Sequence, residues 1–130
     1  MGQPAAKQGD KVFAIDTHIV VSTDVPAKAT ALRPHPFNGL IDGQLSRDVN
    51  IMGRAAVTVG STATNTPPHI AAGVRFETPP TNRATIIRGS NKVRINGNFA
   101  ARAGDIAMTC NDPGDLPIGH VVADGGVNGG

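Results

Sequence analysis

ATIIRGSNKVRINGNFAARAGDIAMTC, residues 84–110, decides how the rest of the chain is read. It scans as strand, turn, strand, turn, strand, and then a loop ending at Cys110, the only cysteine. Asn96-Gly97 predicts a type I′ hairpin turn, because both central residues of that turn need positive φ and Asn-Gly tolerates this best. Val93 and Ile95 alternate before the turn, and Phe99, Ala101 and Ala103 alternate after it, which predicts one buried face. Gly89-Ser90-Asn91 marks the preceding turn, and Gly104-Asp105 ends the third strand.

Shifted by 44 residues, the stretch finds a second copy. Val49, Ile51, Gly53, Ala56, Gly60 and Ser61 fall on Val93, Ile95, Gly97, Ala100, Gly104 and Asp105. A truncated copy opens the chain, with Pro4-Ala5-Ala6-Lys7-Gln8-Gly9-Asp10 on residues 99–105. Nine residues after Gly9 comes His18, nine after Gly60 comes His69, and six after Gly104 comes Cys110. Repetition of this kind governs the fold, so it is weighed before local propensity.

Composition sets limits. With 130 residues the natural expectation is one domain over 1–130, fraying at about 124–130 where DGGVNGG offers little to pack. Aromatic residues are only 3% and there is no Trp or Tyr, so the core is thin and a staple is expected. A net charge of +2 without a basic run, and with few rings to stack on bases, argues against nucleic acid. One cysteine cannot form an internal disulfide, which suits a reducing cytoplasm. Lys7, Asp10 and Lys11 interrupt any signal peptide, and no run approaches the ~18 apolar residues of a membrane helix. Synthesis in the cytoplasm and no stable membrane insertion are the expectations.

In chain order, residues 12–21 read as one strand or two, with His18 near a bend. Residues 25–36 read as a loop stiffened by Pro34 and Pro36 around His35. Asp42-Gly43 reads as a hairpin turn. Residues 61–69 form a loop in which Pro67-Pro68 approach His69. Residues 71–80 read as a return strand containing Phe76, with room for a short helix at 70–73. A last strand is expected at 118–123. No segment carries a sustained helical period.

The informative constellation is His18, His35, His69 and Cys110. Three imidazoles and one thiolate suit structural zinc, which takes four ligands tetrahedrally. A filled tetrahedron leaves no catalytic position. The spacings of 17, 34 and 41 residues match no zinc-finger rule, and ordinary histidines beside an inert buried cysteine fit them equally. The repeat registration favours convergence, since ligands at equivalent places must meet if the repeats pack around an axis. His120 has no repeat counterpart and is expected to stand aside. No phosphate loop, nucleophile elbow or paired-carboxylate pattern is visible.

These residues carry a resemblance. Residues 4–10 (PAAKQGD), 49–56 (VNIMGRAA) and 89–105 (GSNKVRINGNFAARAGD), with the ligand-loop-like Pro34-His35-Pro36-Phe37 and 65–69 (NTPPH), resemble PAAR-repeat proteins, named for proline-alanine-alanine-arginine. That family caps the spikes of contractile injection machines: type VI secretion systems, extracellular injectors and phage tails. The likeness covers most of 4–122, with departures. Lys7 stands for Arg, Phe99 for Pro, and 57–61 (VTVGS) for the motif's second half.

The resemblance implies an all-β cone of hairpins with three repeats in pseudo-threefold arrangement. It implies one zinc ion at the apex on His18, His35, His69 and Cys110, and no catalysis. It further implies docking of one tip per trimer on a β-helical spike (valine-glycine-repeat or phage-spike-like), sharpening it for membrane puncture. The chain would then be assembled on the injection particle and delivered with it outside the cell or into a target cell. An effector-loading adaptor that binds cargo, and more remotely a zinc hydrolase or toxin, are the competing expectations.

Overall fold

Residues 11–22 alternate between exposed and buried almost without a break, and they build β1 (Lys11–Ser22) in one piece. Its inward face carries Val12, Ala14, Asp16, His18 and Val20. The structure is a computed structural model that describes residues 3–22 and 30–123. β2 (Thr30–Gly43) runs antiparallel along β1, from Val21↔Thr30 to Lys11↔Leu40.

Two expectations are corrected here. His18 sits mid-strand, not at a bend. His35 sits in β2 opposite Asp16, not in a stiff loop; residues 25–29 of that loop lie outside the described residues. Pro34 and Pro36 are tolerated because this half of β2 is a margin: its second partner pairs only with Gly39–Gly43. Asp42-Gly43 ends β2 and turns no hairpin.

The remaining strands are short: β3 (Asn50–Ile51), β4 (Arg54–Ala55), β5 (Thr62–Asn65), β6 (Val74–Phe76), β7 (Arg83–Ile86), β8 (Arg94–Ile95), β9 (Asn98–Phe99), β10 (Ile106–Thr109) and β11 (Leu116–Val122). Strands β1, β2, β5, β7, β10 and β11 close on themselves as a six-stranded barrel, with every adjacent pair antiparallel. Closure satisfies backbone groups that an open edge would expose. β6 adds only to the far end of β1, at Val20–Ser22, so the expected return strand shrinks to three residues. No α-helix occurs among the described residues, and 72–73 form a turn where a short helix was allowed. No helix among them is long and apolar enough to cross a membrane.

Val12, Ala14, Phe37, Ile41, Ala63, Ala84, Ile86, Ala107 and Val121 are buried together inside the barrel, four of the nine being alanine. A Cβ on Gly119 would stand 2.7 Å from Thr109 Cγ2 and 3.1 Å from Val12 Cγ1, so only glycine fits there.

One end of the barrel is closed by a ring of main-chain hydrogen bonds. Ala6 N–H donates to Ala101 O (2.9 Å), Ala101 N–H to Val57 O (3.0 Å), and Val57 N–H to Ala6 O (3.1 Å). The same turn follows each: Asp10 to Lys7, Ser61 to Thr58 and Asp105 to Arg102, N–H to O at 3.0 Å. Gly9, Gly60 and Gly104 supply the positive φ these turns need, at 92°, 97° and 87°. Ser46 and Ser90, 44 residues apart, each accept two N–H groups from the residues that follow.

Beside the ring stand two hairpins, β3–β4 and β8–β9. Their turns Met52-Gly53 (φ 51° and 80°) and Asn96-Gly97 (φ 53° and 85°) have the positive φ pair of type I′. Ile51 and Ile95 meet Ala5, Ala56 and Ala100 in a second, smaller core. The expected burial of Phe99 with Ala101 and Ala103 is corrected. Ala100 and Ala101 are both buried, because the chain leaves the hairpin and joins the ring there, and Phe99 stays partly exposed under the Arg94 guanidinium.

Candidate metal centre

The end of the barrel opposite the ring gathers the chemistry. β1 delivers Asp16 and His18, two residues apart and therefore on one face. Cys110 directly follows β10, which is anchored to β7 through Thr109↔Ala84. His69 comes from the irregular segment after β5. One ligand atom from each of Asp16, His18, His69 and Cys110 lies within 4.8 Å of the others, so this buried cluster can hold a metal ion.

The His35 ring borders it, with its centroid 5.7 Å from His18 and 5.4 Å from His69; His18 and His69 are 5.0 Å apart. Of the four residues named from the sequence, His18, His69 and Cys110 belong to the cluster; His35 only borders it, and the fourth place within 4.8 Å is taken by Asp16. Phe76 packs on His18 and His35 at 5.6 and 5.2 Å, and Phe37 lies 6.0 Å from His69. These rings wall the cluster with apolar surface, which strengthens any electrostatic contact inside. His120 is exposed, stands 6.0 Å from Phe13, and is outside the cluster.

Asp16 was not anticipated. It is fully buried and accepts from His69 Nε2 (2.8 Å), the Thr109 hydroxyl, Asn111 Nδ2 (3.4 Å) and the Cys110 thiol (3.4 Å). A carboxylate buried this deeply requires charge-balancing donors. The available signal was parity: in an alternating strand, Asp16 shares the face of Val12, Ala14 and His18.

The histidine nitrogens are sorted by their neighbours. His35 Nδ1 donates to Arg33 O (3.0 Å), which leaves Nε2 as the lone-pair nitrogen. His18 Nε2 faces Cys110 Sγ at 3.6 Å. Its Nδ1 is buried without a hydrogen bond, 3.4 Å from Asp112 Oδ2. Asp112 Oδ2 is itself fixed by the Ile19 N–H (2.8 Å). A carboxylate behind the far nitrogen of a ligating imidazole is the usual second layer of a metal site.

Burial pulls the His18 pKa below its ordinary 6.5, against the opposing pull of Asp112. Burial, reinforced by Asp16, pushes the Cys110 thiol up to about 11. Without an ion, then, His18 is neutral and Cys110 keeps its proton at pH 7. A metal ion binds the thiolate and must displace that proton. Imidazole nitrogens, a sulfur and one carboxylate form a donor set that fits a borderline divalent cation.

Comparison of the chain with protein-family models, with curated proteins and with solved structures gives no match.

Proposed function

We propose that the chain is the tip of a contractile injection spike, a PAAR-like cone whose three repeats sit in pseudo-threefold arrangement. The observation that carries this reading is the ring: one chain presents three like-bonded segments, around residues 6, 57 and 101, at a single end. A single chain that must meet a threefold partner needs such an end, since a closed contact with a symmetric trimer repeats the same geometry three times. The partner is a trimeric β-helical spike, one tip to each trimer. Assembly follows synthesis in the cytoplasm, and the particle delivers the tip.

The opposite end is the apex in this reading. Zinc is the ion, on His18, His35, His69 and Cys110, with Asp16 beside them. Its role is structural: it ties together segments that share little apolar surface, and so stiffens the point that meets a membrane. The ion supplies cross-linking. The chain's own residues supply the orientation, through Arg33 O behind His35 and Asp112 behind His18.

The deciding experiment is co-expression with a trimeric β-helical spike, read by native mass spectrometry. A complex of one chain to three spike subunits is expected. A chain that stays monomeric beside every folded spike offered overturns the docking reading.

A further inference from the structure

His69 is the cluster member farthest from any β-ladder, whereas Cys110 directly follows β10. β5 stops at Asn65, and 66–73 belong to no strand. Asp16 holds the ring at Nε2, but the main-chain segment that carries the ring needs its own anchor, and the contacts that supply it converge on Asn82. The Asn82 side-chain Oδ1 accepts the main-chain N–H of His69 at 2.8 Å. The same oxygen accepts Asn65 Nδ2 at 3.1 Å, and that nitrogen lies 3.2 Å from His69 Nδ1. Asn82 O takes the Asn65 N–H at 2.8 Å. Asn65 cannot turn away, because its Oδ1 accepts the Asn38 N–H at 2.9 Å.

Asn82 reaches the other side as well. It immediately precedes β7, which pairs with β10 and so stands beside the residue following Thr109. Its backbone is left-handed, φ 57°, a conformation that Asn and Asp adopt more readily than most residues. A side chain gripping the His69 segment and a main chain leading into the strand beside Cys110 account for the use of that conformation here.

We propose that Asn82 is the positioning residue of the metal centre, presetting His69 against Cys110 so that the ion meets both in place. The proposal rests on the metal reading above and assigns a residue that neither ligand chemistry nor the repeats single out. Positioning of this kind is worth ~10- to 100-fold in metal affinity.

The test uses the full chain and two substitutions that keep the left-handed backbone and the main-chain N–H. Asn82→Gly deletes the acceptor oxygen; Asn82→Asp keeps it. Zinc affinity is measured by competition with a chromogenic chelator, and geometry by the visible and thiolate charge-transfer bands of the cobalt-substituted protein. Asn82→Gly is expected to bind zinc ~10- to 100-fold more weakly with a shifted cobalt spectrum. Asn82→Asp is expected to retain or exceed the wild-type affinity. If Asn82→Gly matches wild type in affinity and spectrum, or if both variants weaken alike, the proposal is overturned. Wild-type protein that takes up neither zinc nor cobalt overturns the metal reading itself, and this proposal with it. Should Asn82→Gly fail to fold, Asn65→Ala, which removes one of the two donors to Asn82 Oδ1, must weaken zinc in its place; unchanged affinity there is equally fatal.

Discussion

Asp16 Oδ2 lies 2.8 Å from His69 Nε2 across 53 residues of chain, and the Cys110 thiol donates to the same oxygen at 3.4 Å. Two donors from distant segments thus converge on one buried carboxylate atom, beside His18 and the His35 ring.

Removal of that carboxylate should therefore be felt by several partners together. Asp16→Ala leaves the His69 ring, the Thr109 hydroxyl and Asn111 Nδ2 facing a void, and a buried polar group that loses its partner costs about 1–3 kcal/mol. A total loss of ~2–4 kcal/mol is expected in urea unfolding of the metal-free protein. Asp16→Asn keeps one acceptor oxygen and the volume, and should lose clearly less. Equal losses would show that charge, not hydrogen-bond acceptance, is what Asp16 contributes.

In the proposed reading, an ion at the cluster would cross-link β1, the segment after β5 and the end of β10. Chelation of the proposed zinc ion is expected to lower the melting temperature by roughly 10 °C or more, since structural zinc can contribute up to ~10–16 kcal/mol of apparent binding energy in small domains. Cys110→Ser keeps the shape of the buried side chain but gives up the sulfur. That variant should purify with less metal and melt at one temperature with or without chelator. A wild-type melting curve indifferent to chelator would show that no ion staples the fold.

In the metal-free protein the same groups set a pH profile. His18 has a lowered pKa in the fold, so below 6.5 the unfolded chain binds the proton that the native state refuses, and stability falls as pH falls through that region. Cys110 is raised to about 11, so between its ordinary 9.0 and that value the unfolded chain ionises first, and stability falls again as pH rises. Chemical denaturation from pH 5 to 10 should show decline at both ends. His18→Gln should flatten the acid side alone.

Much of this was legible in the sequence, for a physical reason. Turn chemistry is local: Asn96-Gly97 and the glycines at 9, 60 and 104 announce positive φ, and each adopts it. The cluster members His18 and His69 were visible through a common offset of nine residues from Gly9 and Gly60, and Cys110 through a shorter one of six from Gly104. Strand length was less legible. Pro34 and Pro36 read as a loop because proline removes ladder donors, yet the margin of β2 has no second partner there to need them. Met52-Gly53 was hidden because methionine is a poor residue for φ 51°. Asp16 and Asn82 were missed because a lone carboxylate in an apolar strand, or an Asn after Pro79-Pro80-Thr81, acquires meaning only from partners distant in sequence.

The three turns of the ring offer an internal comparison. Lys7 and Asp10, both 8% exposed, form an ion pair at 3.2 Å, and Arg102 and Asp105 form another at 2.9 Å. At the matching place stand Thr58 and Ser61, neutral, and Ser61 Oγ accepts the Thr58 N–H just as Asp10 Oδ2 accepts the Lys7 N–H. The backbone turn therefore does not require charge; it requires a side-chain oxygen three residues on. Lys7→Thr alone strands the Asp10 carboxylate in a buried site and should cost ~2–4 kcal/mol. Asp10→Ser alone keeps the turn acceptor but leaves the ammonium without its carboxylate, at a similar cost. The double substitution copies the neutral turn, and should cost less than the sum of the singles by at least ~1 kcal/mol. Urea unfolding of the four proteins measures that coupling; strict additivity would mean that the pair is solvated and that the neutral turn is no model for it.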